Sequence, residues 1–231
     1  MPKSRIVAAK TTHETTSAIE DYAKAIYSLE ERGEGAVSTN ALAERLGVTA
    51  GSASGMVKRL DEMGLVSHVP YRGVELTGAG KRLALEVLRH HRLLELYLAT
   101  SLDVPWDRVH EEAEVLEHVL SEELEDLIAA KLGNPTRDPH GDPIPDSDLI
   151  IHERETEALS TLAPGAAGRF ARVSDSDPEM LRYLAELGIA IGDHCVVSAR
   201  QPFDGPLTVR FGDGEHVLGG KLAEAMRVEL D

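Results

Sequence analysis

One cysteine, Cys195, is the only thiol in the chain, so no internal disulfide can form and any metal site must be built from His, Asp and Glu. Long hydrophobic runs are missing as well. No segment approaches the roughly 18 to 20 consecutive apolar residues of a membrane span, and the opening MPKSRIVAAKTTHETT has no apolar stretch long enough for a signal-peptide core. The expectation is a cytoplasmic protein with no membrane partner. No nucleophile signature stands out, which argues against a small organic substrate. Cations are scarce over most of the length. Residues 83–231 carry 13 Lys and Arg against 30 Asp and Glu, a net of -17, whereas residues 1–82 carry 11 against 10, a net of +1. The first third could approach phosphate, and the carboxylate-rich remainder could collect cations, although such an excess is more often a solvated surface.

That first third reads as three helices and a hairpin. Ile19, Tyr22, Ala23, Ile26 and Leu29 make one apolar helical face, ending at the turn ERGEG. Ser38 caps a short helix, TNALAERLG, closed by Gly47; Thr49 then caps AGSASGMVKRLDEMG, closed by Gly64. LVSHVPYRGVELT supplies two short strands around a turn at Pro70 to Gly73. Helix-turn-helix followed by a hairpin is a winged helix. The third helix is unusually rich in small residues: Gly51 and Gly55 weaken it by roughly 0.5–1 kcal/mol each relative to alanine. A backbone that must lie close to base edges gives a reason for them, with Lys58 and Arg59 reaching phosphate and Arg72 on the wing. The candidate DNA-facing set is Ser38, Thr39, Thr49, Ser52, Ser54, Lys58, Arg59 and Arg72.

From Thr77 a long helix is expected, with Leu83, Ala84, Val87, Leu88, Leu94 and Leu98 on its apolar face and His91 and Glu95 set in the middle of it. Glutamate in a core stripe is costly unless paired. A His–Glu hydrogen bond at i, i+4 would satisfy the two locally, but the next helix adds VHEEAEVLEH, residues 109–118, which has no cation at all. Continued as a helix, it places His110, Glu114, Glu117 and His118 on one stripe. Imidazoles and carboxylates without a counter-charge favour a divalent ion over a merely solvated face. A zinc-protease motif is not supported, because Glu114 stands where its second His belongs; a ferritin-like di-metal bundle lacks its paired Glu-x-x-His helices.

The winged helix, RHHRLLELYL, VHEEAEVLEH and the loop NPTRDPHGDPIP together resemble, in order and spacing over nearly the whole chain, the diphtheria toxin repressor family of metal-dependent transcriptional regulators. The ligand helix combined with the DPHGDPIP loop is the specific part. The resemblance implies a mainly α protein with a small β domain: a winged helix-turn-helix DNA-binding domain at 1–82, a helical dimerisation and metal-binding domain at 83–150, a linker at 151–164 and an SH3-like, FeoA-like domain at 165–231. It assigns a primary metal site to Asp21, Glu114, Glu117 and His118. Iron-responsive members place methionine and cysteine where this chain has Asp21 and Glu114, so the hard carboxylates resemble the manganese-responsive branch. Zn²⁺, Fe²⁺ or Co²⁺ can still bind in vitro. Short manganese regulators carry a further glutamate where this chain has Lys24, so a bridged two-ion cluster is not expected. The second site resembles that of three-domain members: His91, Glu95 and His110, completed from the C-terminal domain by Asp177, with Asp175, Glu179 and Met180 as neighbours that could serve instead. Asp177 also reads as the N-cap before Pro178.

Beyond the proline-rich loop, GRFARVS, HCVVSAR, PLTVRFG and EHVLGG alternate apolar and polar residues as short strands of a small barrel, with PEMLRYLAELG as a helix between the first two. The reading is therefore a manganese-dependent repressor that acts as a homodimer on palindromic double-stranded operator DNA and controls metal-ion homeostasis genes. An iron-dependent repressor of the same architecture and, from a different class, a metal-dependent hydrolase with Glu111 as base are the alternatives.

Overall fold

A computed structural model describes residues 17–33, 36–69, 73–203 and 205–231. The chain divides into two compact units, 1–84 and 85–231.

In the first unit, α1 (Ser17–Arg32), α2 (Thr39–Arg45) and α3 (Ala50–Glu62) precede an antiparallel hairpin of β1 (Val66–Val69) and β2 (Gly73–Leu76). The caps are where the sequence puts them: the Ser38 hydroxyl accepts from the Ala41 amide at 3.1 Å, and the Thr49 hydroxyl from the Ser52 amide at 3.1 Å. Gly47 and Gly64, at φ 64° and 71°, take the left-handed turns that end α2 and α3. Ile19, Ile26, Leu42, Val57 and Leu60 are fully buried and hold the three helices against the hairpin, each contributing on the order of 1.5–3 kcal/mol. Val37 extends the hairpin by pairing with Val74, its amide donating to the Val74 carbonyl at 2.8 Å.

A 25-residue helix, α4 (Gly78–Leu102), runs on from the first unit into the second. It is followed by α5 (Val109–Leu116), a 3₁₀ turn at Glu117–Val119 and α6 (Glu122–Lys131). The helix expected to carry the whole 110–118 stripe thus stops at Leu116. The cause lies downstream: Ser121 caps α6 by accepting from the Leu124 amide, and Leu120 is extended at ψ 122° to reach that cap. Val115 and Val119 on one side and Leu124 and Leu127 on the other remain exposed, at 70, 77, 48 and 61%. An apolar surface of this kind marks an association face.

The rest of the second unit is an antiparallel sheet of β3 (Glu157–Ala158), β4 (Ala167–Val173), β5 (His194–Arg200), β6 (Leu207–Phe211), β7 (Gly214–Leu218) and β8 (Met226–Leu230), with α7 (Pro178–Glu186) after β4 and α8 (Gly220–Ala225) before β8. Strand order is β3-β8-β4-β5-β6-β7. β8 sits beside β4 although it is last in sequence, and its burial alternates, with Met226 and Val228 inside. The core of this domain is Phe170, Leu181, Leu184, Val209 and Leu218, with Cys195 sealed inside it at 1% exposure.

Candidate metal centre and nucleic-acid interface

On α3 the interior takes Ala53, Val57 and Leu60, spaced four and three residues apart. Ser52, Ser54, Gly55, Lys58 and Arg59 are exposed. Ser38, also exposed, spends its hydroxyl on the cap of α2, and the Thr49 hydroxyl is shared between the Ser52 amide and the Ser52 hydroxyl at 2.9 Å. Thr39 is half-buried at the first turn of α2. Lys58 lies 3.8 Å from Glu62, one turn on. Arg72 falls outside the described residues. The two glycines have no internal explanation. A Cβ on Gly55 would meet nothing within 4 Å, and one on Gly51 only the Thr49 hydroxyl at 3.9 Å. Packing among the described residues therefore does not require them.

In the second unit, α4 presents His91 and Glu95 inward, 4% and 1% exposed. His91 Nε2 is 3.0 Å from Glu95 Oε1 and 3.1 Å from His110 Nδ1, while His91 Nδ1 faces Glu117 Oε2 at 2.5 Å. A carboxylate only accepts, so His91 is the donor where its Nδ1 meets Glu117 and where its Nε2 meets Glu95. His110 Nδ1 stands between Glu95 Oε1 at 3.3 Å and Asp175 Oδ2 at 3.0 Å. These hydrogen bonds, to Asp175 first and then to Glu95, outweigh burial and push the His110 imidazolium up to about 10. Burial raises the Glu95 carboxyl, but the bonds from His110 and His91 outweigh it and hold Glu95 well below the usual carboxylate range. Four side chains, His91, Glu95, His110 and Asp175, each bring one donor atom to within 4.8 Å of the others.

Within the second unit two further groups adjoin. His91, Glu114 and Glu117 converge in the same manner, as do Glu95, Asp138 and His140. Glu114 Oε1 is 3.7 Å from both His91 and His110, and Glu117 Oε1 is 3.7 Å from His118 Nε2. Burial at 2% for Glu117 follows from the tightened 3₁₀ turn, which turns it into the unit. His140 is fully buried; its Nε2 donates to the Trp106 carbonyl at 2.7 Å, and its Nδ1 is a buried atom with no hydrogen-bond partner, 3.9 Å from Glu95 Oε2. Asp138 caps its own loop, accepting from the His140 and Asp142 amides at 2.8 and 2.9 Å. Burial, reinforced by the Asp142 and Glu95 charges, pushes Asp138 well above the usual range.

The site residues read from the sequence are thus partly brought together. His91, Glu95 and His110 form the cluster, and Glu114 and Glu117 border it. Asp177 does not join them: its Oδ1 accepts from the Glu179 amide at the N-terminus of α7 and its Oδ2 meets Lys221 at 3.4 Å, while Asp175, two residues earlier, reaches His110. Asp21 lies half-buried on α1 in the first unit. Asp138 and His140 were not anticipated as site residues. The only signal was the loop DPHGDP itself, in which an Asp and a His flank a proline.

The donor set fits a hard divalent cation. It consists of carboxylates and imidazoles, it runs from buried His91 and Glu95 out to partly exposed His110 and Asp175, and beside it a bare imidazole nitrogen of His140 faces a carboxylate oxygen of Glu95, an arrangement that a cation satisfies. The one thiol, Cys195, is enclosed in the C-terminal core and takes no part in it.

Comparison with known proteins agrees in extent. Residues 14–74 match the iron dependent repressor N-terminal DNA binding domain, 77–146 the iron dependent repressor metal binding and dimerisation domain, and 158–230 the FeoA domain. The iron-dependent repressor IdeR of Mycobacterium tuberculosis is 40% identical over 230 residues, spanning 94% of this chain and 99% of the relative. A manganese-dependent transcriptional repressor solved in complex with manganese is 44% identical with a TM-score of 0.85, covering 92% of this chain and all of the other. The manganese regulator SloR is 32% identical with a TM-score of 0.74, over 92% and 98% of the two chains.

Proposed function

Since the chain belongs to the diphtheria toxin repressor family of metal-dependent transcriptional regulators, we propose that it is a manganese-dependent repressor whose metal-loaded homodimer binds palindromic operator DNA in the cytoplasm and controls metal-ion homeostasis genes. The family consists of repressors, so the hydrolase reading is set aside.

The observation that carries the choice of metal is the all-oxygen and nitrogen donor set. By the family resemblance, Asp21 and Glu114 stand where iron-responsive members carry methionine and cysteine, and the cluster on α4 and α5 adds only carboxylates and imidazoles. Asp21, Glu114, Glu117 and His118 would hold the primary ion. His91, Glu95 and His110 would hold a second one, with Asp175 in the place first given to Asp177, and with Asp138 and His140 on the far side of Glu95. When bound, the ion supplies the positive charge that lets these donors share one shell. Asp21 lies on α1, which shares its core with α2 and α3, so ligation by Asp21 would link metal binding to the recognition helix. The exposed leucines and valines of α5 and α6 would pair two such chains, setting two α3 helices at the spacing of successive major grooves. No helix among the described residues is long and apolar enough to cross a membrane.

The test is operator binding by fluorescence anisotropy with Mn²⁺, Fe²⁺ under reducing conditions and Zn²⁺ at matched free concentrations. Mn²⁺ should activate at the lowest free concentration that a cell maintains, and Asp21→Met with Glu114→Cys should shift activation toward Fe²⁺. A wild type that responds to Fe²⁺ and ignores Mn²⁺ would establish the iron-dependent alternative.

A further inference from the structure

Residues 83–231 hold only 13 Lys and Arg, yet four of them, Arg137, Arg154, Arg169 and Arg172, line one cavity of about 110 Å³ on the second unit. Two carboxylates, Glu153 and Glu229, share the lining, so a region with a net charge of -17 contains a local excess of positive charge. The pairing is uneven. Arg154 meets Glu229 at 3.0 Å, and Arg172 meets Asp142 at 3.5 Å and Glu153 at 3.9 Å. Arg137 and Arg169 instead donate to backbone carbonyls: Arg137 to His152 at 2.9 Å and to Gly141 at 3.5 Å, Arg169 to Gly192 at 3.1 Å. A guanidinium has five N–H donors, so both retain hydrogen-bonding capacity.

The cavity wall is built to stay where it is. A Cβ on Gly141 would lie 2.0 Å from the Ala171 carbonyl oxygen, so the loop carrying Arg137 lies directly against β4, which carries Arg169 and Arg172. Gly192 has nothing within 4 Å of its Cβ position, leaving the mouth open beside it. Guanidinium groups arriving from a loop and a strand, with spare N–H donors and too few counter-charges, offer the donors that a tetrahedral oxyanion accepts. We infer that this cavity is a binding site for a small phosphate-class anion, either free phosphate or the head of a phosphomonoester. The site is separate from the metal cluster and does not depend on which metal the protein uses. Its loop also carries Asp138 and His140.

The test is calorimetric titration of the full-length, metal-free protein with inorganic phosphate and with glycerol 1-phosphate, at constant ionic strength set by sodium chloride. Saturable binding is expected, weakened at least tenfold by Arg137→Gln and by Arg169→Gln and unchanged by Arg200→Gln, which lies outside the cavity; melting curves confirm that each variant is folded. Tighter binding of glycerol 1-phosphate than of phosphate would identify a phosphomonoester as the ligand, and equal or weaker binding would identify free phosphate. Absence of saturation, or equal affinity in Arg137→Gln and wild type, would overturn the inference. So would a loss of operator affinity in Arg137→Gln without any binding of either anion, which would make the arginines a DNA contact instead.

Discussion

Replacing Gly55 should make the protein more stable and the repressor weaker. On a helix with 100° per residue, Gly55 lies opposite the buried ridge of Ala53, Val57 and Leu60, in the same stripe as Gly51, Lys58 and Arg59. Its Cβ position is open, so alanine or leucine enters without a clash and the helix gains about 0.5–1 kcal/mol. For a domain of this size, a gain near 1 kcal/mol raises the melting temperature by roughly 4–8 °C if the unit melts alone. DNA affinity should move the other way. An added side chain at the centre of the exposed face separates the backbone from the groove, and a tenfold loss corresponds to about 1.4 kcal/mol. Leucine should therefore reach or exceed a tenfold loss, with alanine between it and the wild type. The assays are thermal melting and anisotropy on a labelled operator in saturating Mn²⁺ at fixed salt, because affinity without a stated salt concentration has no meaning here. If Gly55→Leu is stabilised and binds operator within twofold of wild type, the exposed face of α3 does not meet DNA. If Gly55→Ala is destabilised, the account of the helix itself is wrong.

The two aspartates before α7 should separate cleanly. Asp175→Asn removes a carboxylate facing His110 and should weaken metal uptake at least tenfold, whereas Asp177→Asn keeps a competent cap and should leave it unchanged; quenching of the sole tryptophan, Trp106, whose ring is 6.0 Å from that of His140, gives the readout, and the reverse ranking would return Asp177 to the site. Metal uptake should also release protons. His110 titrates at about 10 in the metal-free chain against about 6.5 when unfolded, so its charged form stabilises the fold fully below pH 6.5 and this is lost as pH rises through 10. A ligating imidazole must give up that proton, so Mn²⁺ titrations at pH 7 in buffers of different ionisation enthalpy should reveal release of at least one proton, and no release would remove His110 from the ligand set.

What could be read from the sequence follows from how local each feature is. Ser38, Thr49, Gly47 and Gly64 declare the winged helix because a cap or a left-handed turn acts within four residues of its own position. His91 and Glu95 were legible for the same reason, as polar residues in an apolar period. The apolar period carries the stripe at 110–118 two residues past the end of α5 into a 3₁₀ turn, since Ser121 and the extended Leu120 decide where α5 ends and neither breaks the apolar pattern. β8 gave little warning: MRVEL alternates over only five residues, and its partner β4 lies more than fifty residues earlier.

His140 and Asp138 were hidden for a different reason, and it bears on what the C-terminal domain does. A histidine in a loop of prolines and glycines reads as solvated until something covers it. Here the cover is β4: the Val173 amide donates to the His140 carbonyl at 2.9 Å, and Gly141 permits the close approach to Ala171. Trp106 adds the second constraint. Its carbonyl fixes the proton on His140 Nε2, its indole donates to the Leu181 carbonyl on α7 at 3.1 Å, and its ring stacks on the imidazole at 21°. The orientation of His140 Nδ1 toward Glu95 is thus set jointly by α7, β4 and the segment before α5, just as Asp175 reaches His110 from the turn between β4 and α7. Outer partners of this kind fix the tautomer and aim of a ligand. The C-terminal domain therefore forms part of the wall of the proposed metal site, which the apolar-polar alternation of its strands could not reveal.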